Sequence, residues 1–331
     1  MTTLINPIAE FIGSTHLGPR QFHKSLSVWP LVGQTRQGLD YICLSEAMEK
    51  GSILVEEVSA GGQVPNVLVK NRGDSAVLIL FGEEIVGAKQ NRVANASFLV
   101  GPRSKVLLDV SCVEQGRWSP GKGTPFAAEG SVLSHKIRSK MQTKVAAARA
   151  SSGSFAADQG EVWDEVSHRV RSSGTHSRTG SYQDYAQTRS SDCEEIVRAF
   201  RPVPDQVGFV VAIHDDVVAI EAIGKPEVFA RALPGLLRSY AIDAVDWSWL
   251  RSHGEAQAGF DAPEPFLEAV AQARVDRGPS LGLGDDLRLE EARVAGCALD
   301  SGGIVHLTAF ARQAEQEKQT EQPRPWWRFR R

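Results

Sequence analysis

Val67-Leu-Val-Lys70, Asn71-Arg-Gly-Asp74 and Ala76-Val-Leu-Ile-Leu-Phe81 decide the fold class of this 331-residue chain. Two short apolar runs flank a polar turn that contains a glycine, which is the composition of a β-hairpin. The pattern continues on both sides. Residues 53–58 form a strand-like run closed by Gly61-Gly62, and residues 96–100 and 105–110 are two more, separated by Gly101-Pro102. Short strands at this spacing predict an antiparallel sandwich or small barrel. A doubly wound sheet would need amphipathic helices between its strands, and none is present here.

The rest of the chain is read outward from that block. Asn6-Pro7 supplies a helix cap followed by proline at the first helical position. Residues 25–32 have strand composition, with Pro30 demanding an edge or a bulge. Residues 44–50 read as a short helix ended by Gly51. After Trp118 strand propensity falls away. Residues 119–181 are rich in Ala, Ser and Gly and carry nine Lys and Arg against five acids. Helices are expected at about 131–150 and 160–171, then a loop, then a helix over 184–200. Residues 207–213 and 217–223 predict a hairpin with His214-Asp215-Asp216 at its tip. Residues 228–241 predict a helix kinked at Pro234-Gly235, 265–274 another helix, and 287–298 with 304–310 a second hairpin. The expected class is α+β. Its parts are a β-rich sandwich or barrel over 1–118, a mainly helical basic segment over 119–205 and an α+β part over 206–312. A disordered basic-aromatic tail over 313–331 completes the chain.

Composition narrows the function. Hydrophobic residues at 42%, charged residues at 23% and a net charge of -3 are ordinary for a globular protein and exclude a strongly basic nucleic-acid binder. Cys43, Cys112, Cys193 and Cys297 are too scattered for a disulfide framework, and no Cys-x-x-Cys pair exists. No transmembrane segment or amino-terminal leader is legible, so a cytoplasmic setting is expected. The tail ends Pro-Trp-Trp-Arg-Phe-Arg-Arg331, a composition suited to touching a partner or a membrane surface, or to docking on its own fold.

The chemistry concentrates in residues 82–118. Gly-Glu-Glu-Ile-Val-Gly-Ala-Lys-Gln-Asn-Arg (82–92) and Ser-Cys-Val-Glu-Gln-Gly-Arg-Trp (111–118) bracket a mostly apolar stretch. Strands of this length would return both clusters to one end of a sheet. Lys89, Gln90, Asn91 and Arg92 combine two cations with two amides, which suits a phosphate or carboxylate, and Arg117 adds a third cation. Trp118 suits stacking. Cys112 and Glu114 share a strand face. A thiol beside cations is a candidate nucleophile, and Glu84 or Glu114 a candidate general acid or base. Adjacent Glu83 and Glu84 point to opposite faces of a strand, so only one of them enters the site. A mutually satisfied structural network is the competing reading.

Other chemistries find no support. Residues 116–123 match a phosphate loop until Gly123 stands where Ser or Thr is required. No Gly-x-Ser-x-Gly elbow and no His-x-x-x-His pair occurs, so neither a metal nor a cofactor is expected.

The two clusters, together with Asp158-Gln159-x-x-Val162-Trp163, resemble the ADP-ribosylglycohydrolase-and-rhodanese-phosphatase-superfamily-associated protein domain family. The likeness covers roughly residues 25–245 and brings Gln159 into the candidate ligand set. The resemblance implies a link to ADP-ribose or another nucleotide-derived metabolite, and it supplies no catalytic residues. The expected function is binding of a small anionic metabolite, with hydrolysis or transfer as the chemistry of an enzyme. A non-enzymatic sensor or adaptor and a structural scaffold are the alternatives.

Overall fold

A computed structural model describes residues 6–33, 40–58, 65–117, 126–128, 130–247 and 259–312. The fold is α+β and rests on three sheets.

The expected hairpin across residues 71–74 does not form. β6 (Asn66–Asn71) pairs antiparallel with β5 (Ile53–Glu57) and β11 (Lys105–Cys112). β7 (Ala76–Ile79) instead enters another sheet, antiparallel to β10 (Phe98–Val100) and parallel to β4 (Tyr41–Cys43). Asn71 explains the departure. Its buried Nδ2 donates to the carbonyls of Ser75 at 2.8 Å, Val100 at 3.1 Å and Gly101 at 2.9 Å, while its Oδ1 accepts from the Gly73 amide at 2.9 Å. The turn residues thus carry the chain between sheets. The order β5-β6-β11 is completed by β9 (Arg92–Ala94) and β8 (Glu84–Ile85). Val69, Val77, Ile79, Phe98 and Val110 join the two small sheets in one apolar core.

The third sheet has nine strands and unites the start of the chain with its end. Its order is β1 (Thr15–Leu17), β3 (Leu26–Gly33), β12 (Gln206–Ile213), β13 (Asp216–Ile223), β17 (Ile304–Ala311), β16 (Val294–Asp300), β15 (Asp285–Glu291) and β14 (Arg274–Pro279), with β2 (Gln21–His23) also on β3. Every pairing in it is antiparallel. Pro30 lies in the interior strand β3, where β1 reaches only Leu31 and β2 only Val28, so its missing amide falls in the gap between them. The run 287–298 is divided between β15 and β16, which turns the expected hairpin into a meander of four strands, β14 to β17.

Both faces of this sheet are covered, which is why its central strands read as continuous apolar runs. Val210 and Ala212 meet Ile8 and Phe11 of α1 (Pro7–Gly13) and Phe266 of α8 (Pro263–Gln272). Phe209 and Val211 meet the helical face, which includes Phe229, Leu236 and Tyr240 of α7 (Pro226–Val245). Pro234 lies inside α7, and Gly235 follows it, where an added Cβ would come within 1.8 Å of the Gly130 carbonyl oxygen. α2 (Leu44–Glu49), α3 (His135–Ser152) and α4 (Gln159–Ser172) stand close to where they are expected. Ser134 caps α3 and Asp158 caps α4 through their side-chain oxygens. The expected helix 184–200 is two, α5 (Tyr182–Thr188) and α6 (Ser190–Ala199). They meet at Arg189, whose Nε lies 2.9 Å from Asp246.

Gly82 opens the first motif for a steric reason. Its φ is +78°, and an added Cβ would lie 2.3 Å from Cδ of Arg138. Gly82→Ala is therefore expected to cost at least about 1–3 kcal/mol, read as a lower midpoint in urea unfolding. An unchanged midpoint would contradict this packing.

Candidate functional site

The antiparallel register fixes which motif residues meet. Arg92 stands opposite both Ile85 and Cys112, and Val93 opposite both Glu84 and Ser111. Directly paired residues share a face. Arg92 and Cys112 therefore lie together, and Glu84 lies on the reverse side.

Arg92 is fully buried. Its Nη1 donates to Gln90 Oε1 at 2.7 Å, and its Nη2 lies 3.9 Å from Glu57 Oε1. Burial pushes its pKa down, and Cys112 and Glu57 oppose that shift. Beyond β11 the chain pairs with the segment leading into α5: the Tyr182 amide donates to Val113 and the Gly116 amide to Thr179. Glu114 is held between them. Its Oε2 accepts from the Asn91 amide at 3.2 Å and Arg117 Nη2 at 2.6 Å, and its Oε1 accepts from Thr179 Oγ1 at 2.8 Å. Arg117 also donates to Asn91 Oδ1 at 2.9 Å and to the Ala88 carbonyl at 2.7 Å. Gln90 Nε2 donates to the Glu114 carbonyl at 3.2 Å.

Gln159, the first residue of α4, acts as a surrogate strand. Its amide oxygen accepts from Cys112 N and its amide nitrogen donates to Cys112 O, both at 2.8 Å. Lys89 is half-buried, and its backbone amide donates to Glu57 Oε1 at 3.4 Å.

Lys89, Gln90, Asn91, Arg92, Cys112, Glu114, Arg117 and Gln159 thus converge. Glu84 does not share their face and lies beside Tyr182, whose hydroxyl is held well above its ordinary pKa by burial and then by the Glu84 charge. Glu83 closes a turn by accepting the Leu80 amide at 2.9 Å, and burial lifts its carboxyl to about 8. Trp118 lies outside the described residues.

A second buried polar network has no counterpart among the sequence motifs. Arg138 and Glu221, both wholly buried, form an ion pair at 2.6 Å. Tyr240 donates its hydroxyl to Glu221 at 2.6 Å, and His306, 3.6 Å from the same carboxylate, is joined to Ser97 at 2.6 Å. Nearby, Asp243 takes His135 at 2.6 Å and Arg169 at 2.7 Å, and Tyr185 donates to Asp246 at 2.7 Å. Burial drives the His135 pKa down against the pull of Asp243. Asp243 itself is kept far below the carboxylate range despite its burial, because Arg169 and His135 face it. The signal for this network was Glu221, Asp243 and His306, each a charged or titratable residue inside an otherwise apolar run.

Among the described residues, no group of three or more His, Cys, Asp and Glu is placed to hold a metal ion. Nor is any helix among them long and apolar enough to cross a membrane.

These features define an α+β protein of antiparallel sheets and packed helices, whose motifs converge on one guanidinium–carboxylate–amide cluster beside a buried thiol. Residues 14–310 match the family described as ARPP-1, the ARG and Rhodanese-Phosphatase-superfamily-associated Protein domain, and the chain belongs to that family. The match extends well beyond the 25–245 span of the motif resemblance. No curated protein and no solved structure matches the chain.

Proposed function

We propose that the cluster spanning Gly82 to Arg117 binds a small anionic metabolite derived from a nucleotide. The observation that carries this reading is the gathering of two guanidinium groups at one place: Arg92 stands beside Glu57 and Arg117 pairs with Glu114, while the Lys89 backbone amide donates to Glu57. Arg117, with 24% of its side chain exposed, is the guanidinium an incoming anion reaches from solvent. Gln90 and Asn91 orient the ligand. Glu114 is the candidate general acid or base and Cys112 the candidate nucleophile, should the site carry out hydrolysis or transfer, and Glu84, on the reverse face, takes no part. The family's association with the ADP-ribosylglycohydrolase superfamily supports the nucleotide-derived part. Four free, buried cysteines support a reducing compartment such as the cytoplasm.

A second reading, an architectural cluster, is favoured by one observation. Arg117 already serves two backbone carbonyls, Gly87 and Ala88, as well as Asn91 and Glu114. Thermal unfolding with ADP-ribose and with NAD separates the two, because a ligand that binds only the folded state raises Tm. The expected result is a rise with at least one of them, lost in Arg117→Gln while the ligand-free Tm stays close to wild type. No rise with either from folded protein overturns the binding reading. If Glu114→Gln and Lys89→Ala unfold the chain, the architectural reading stands. Mass spectrometry of the recovered ligand then distinguishes an enzyme from a sensor.

A further inference from the structure

A cleft of about 570 Å³ opens between α3 and the β14–β16 end of the large sheet, lined by none of the motif residues. It exists because α3 presents Ala146, Ala147 and Ala150 there, side chains that end at Cβ and cannot fill the space to the sheet edge. One wall is thus apolar. The opposite wall is cationic.

Cross-strand register places Arg274, Asp276 and Gly278 of β14 on the same sheet face as Glu290, Arg288 and Asp286 of β15. Arg288 is locked. Its Nε and Nη2 donate to the two oxygens of Asp286 at 2.8 and 2.9 Å, and its Nη1 to Gln142 of α3 at 2.7 Å. Arg149 brings a second guanidinium to the same carboxylate, with Nε 3.8 Å from Asp286. It reaches that position because residue 278 is glycine: an added Cβ would lie 2.1 Å from Arg149 Nη2. Arg274 and Arg312 both reach Glu290, in pairs at 3.5 and 3.6 Å, and Arg277 also lines the cleft. The Arg277 guanidinium is taken up by Asp285 and Asp300, so four arginines, Arg149, Arg274, Arg288 and Arg312, face three carboxylates, Asp276, Asp286 and Glu290. The pairs on the rim are exposed, and such pairs contribute little and exchange readily.

We propose that this cleft is a second binding site and takes an organic phosphate of nucleotide size. The guanidinium forks of Arg149, Arg274 and Arg312 match phosphate geometry, and the alanine face of α3 receives the organic body. The volume lies in the range of small-molecule sites. This assignment is independent of the Gly82–Arg117 cluster.

The test is thermal unfolding of the full chain with ADP, with adenosine as the uncharged probe. ADP in large excess is expected to raise Tm by about 3 °C or more, and adenosine to give no rise. Ala147→Trp, at an exposed helix position, fills the cleft and abolishes the ADP shift while its ligand-free Tm and circular dichroism stay near wild type. Arg274→Glu weakens ADP binding at least about tenfold. Absence of a shift in the wild type overturns the proposal. So does an equal shift with adenosine, a shift that survives in Ala147→Trp, or one lost only in Arg117→Gln. If Ala147→Trp fails to fold, titration of Arg274→Glu by calorimetry decides, and wild-type affinity in that variant is the contrary result.

Discussion

Arg138→Met is expected to destabilise the protein by about 3–5 kcal/mol, measured by urea unfolding at pH 7. The variant leaves the Glu221 carboxylate wholly buried and without its 2.6 Å guanidinium partner, and an uncompensated buried charge is among the costliest single defects. Arg138 does more than neutralise. Its Nε donates to the Leu133 carbonyl at 3.0 Å and its Nη2 to Ser239 at 2.9 Å. The Leu133 amide in turn donates to Gly82, and the Glu84 amide to Ser131. One side chain therefore links the large sheet, α7 and the first motif. The double variant Arg138→Met/Glu221→Gln is expected to recover a substantial part of the loss, because the amide still accepts from Tyr240 and no longer carries charge.

Acid titration gives the same pair a signature. Burial would raise the Glu221 pKa, but Arg138, His306 and Tyr240 bring it down to about 2 from an ordinary 4.5. A depressed carboxylate stabilises the fold fully above its ordinary pKa and loses that contribution as pH falls toward 2. That acid limb should disappear from the Arg138→Met profile. A loss below about 1 kcal/mol, or an unchanged acid limb, would mean that the ion pair is incidental to the fold.

The α+β class and the convergence of both motifs were legible because they depend on local properties. Period-two alternation set the strands, and glycine and proline set their ends. The pairing of those strands was not legible. Residues 71–74 have hairpin chemistry, and only the carbonyls of Val100 and Gly101, far along the chain, reveal that Asn71 serves another purpose. The division at Arg189 has no glycine or proline to announce it. Its cause, Asp246, lies in a distant part of the sequence.

The same limit hid a polar row across the large sheet. Asp276, Arg288, Cys297, Thr308 and Glu221 are successive cross-strand neighbours on five strands. α3 meets this row with Arg138 at Glu221 and Gln142 at Arg288, four residues apart and so on one helical face. Apart from Glu221, which stands out in an apolar strand, each residue is unremarkable in its own strand. Only the register aligns them, and it carries the helix that also bounds the arginine-lined cleft. Within the first motif, sequence offered Glu83 and Glu84 as alternatives for one role, and the fold separates them into two different environments.

Glu83→Gln is expected to leave stability nearly unchanged at pH 4 and to raise it at pH 9 by roughly 3–5 kcal/mol relative to the wild type. Burial lifts the Glu83 carboxyl from 4.5 to about 8, with the Leu80 amide the one opposing influence identified. The folded chain thus holds the proton through a range in which the unfolded chain has released it. Stability from this group is full below 4.5, falls as pH rises between 4.5 and 8, and is lost above that. Glutamine keeps an oxygen for the Leu80 amide, now 2.9 Å from Glu83 Oε2, and cannot ionise. The variant's profile should therefore lack the alkaline decline. Urea unfolding of both proteins at pH 4, 7 and 9 isolates the effect, since every other titrating group is common to the pair. Parallel profiles would show that Glu83 ionises in the fold at an ordinary pH. A widening gap would establish that the first motif carries a carboxylic acid kept neutral at pH 7, able to donate a hydrogen bond where its neighbour Glu84 is set in a different environment beside Tyr182.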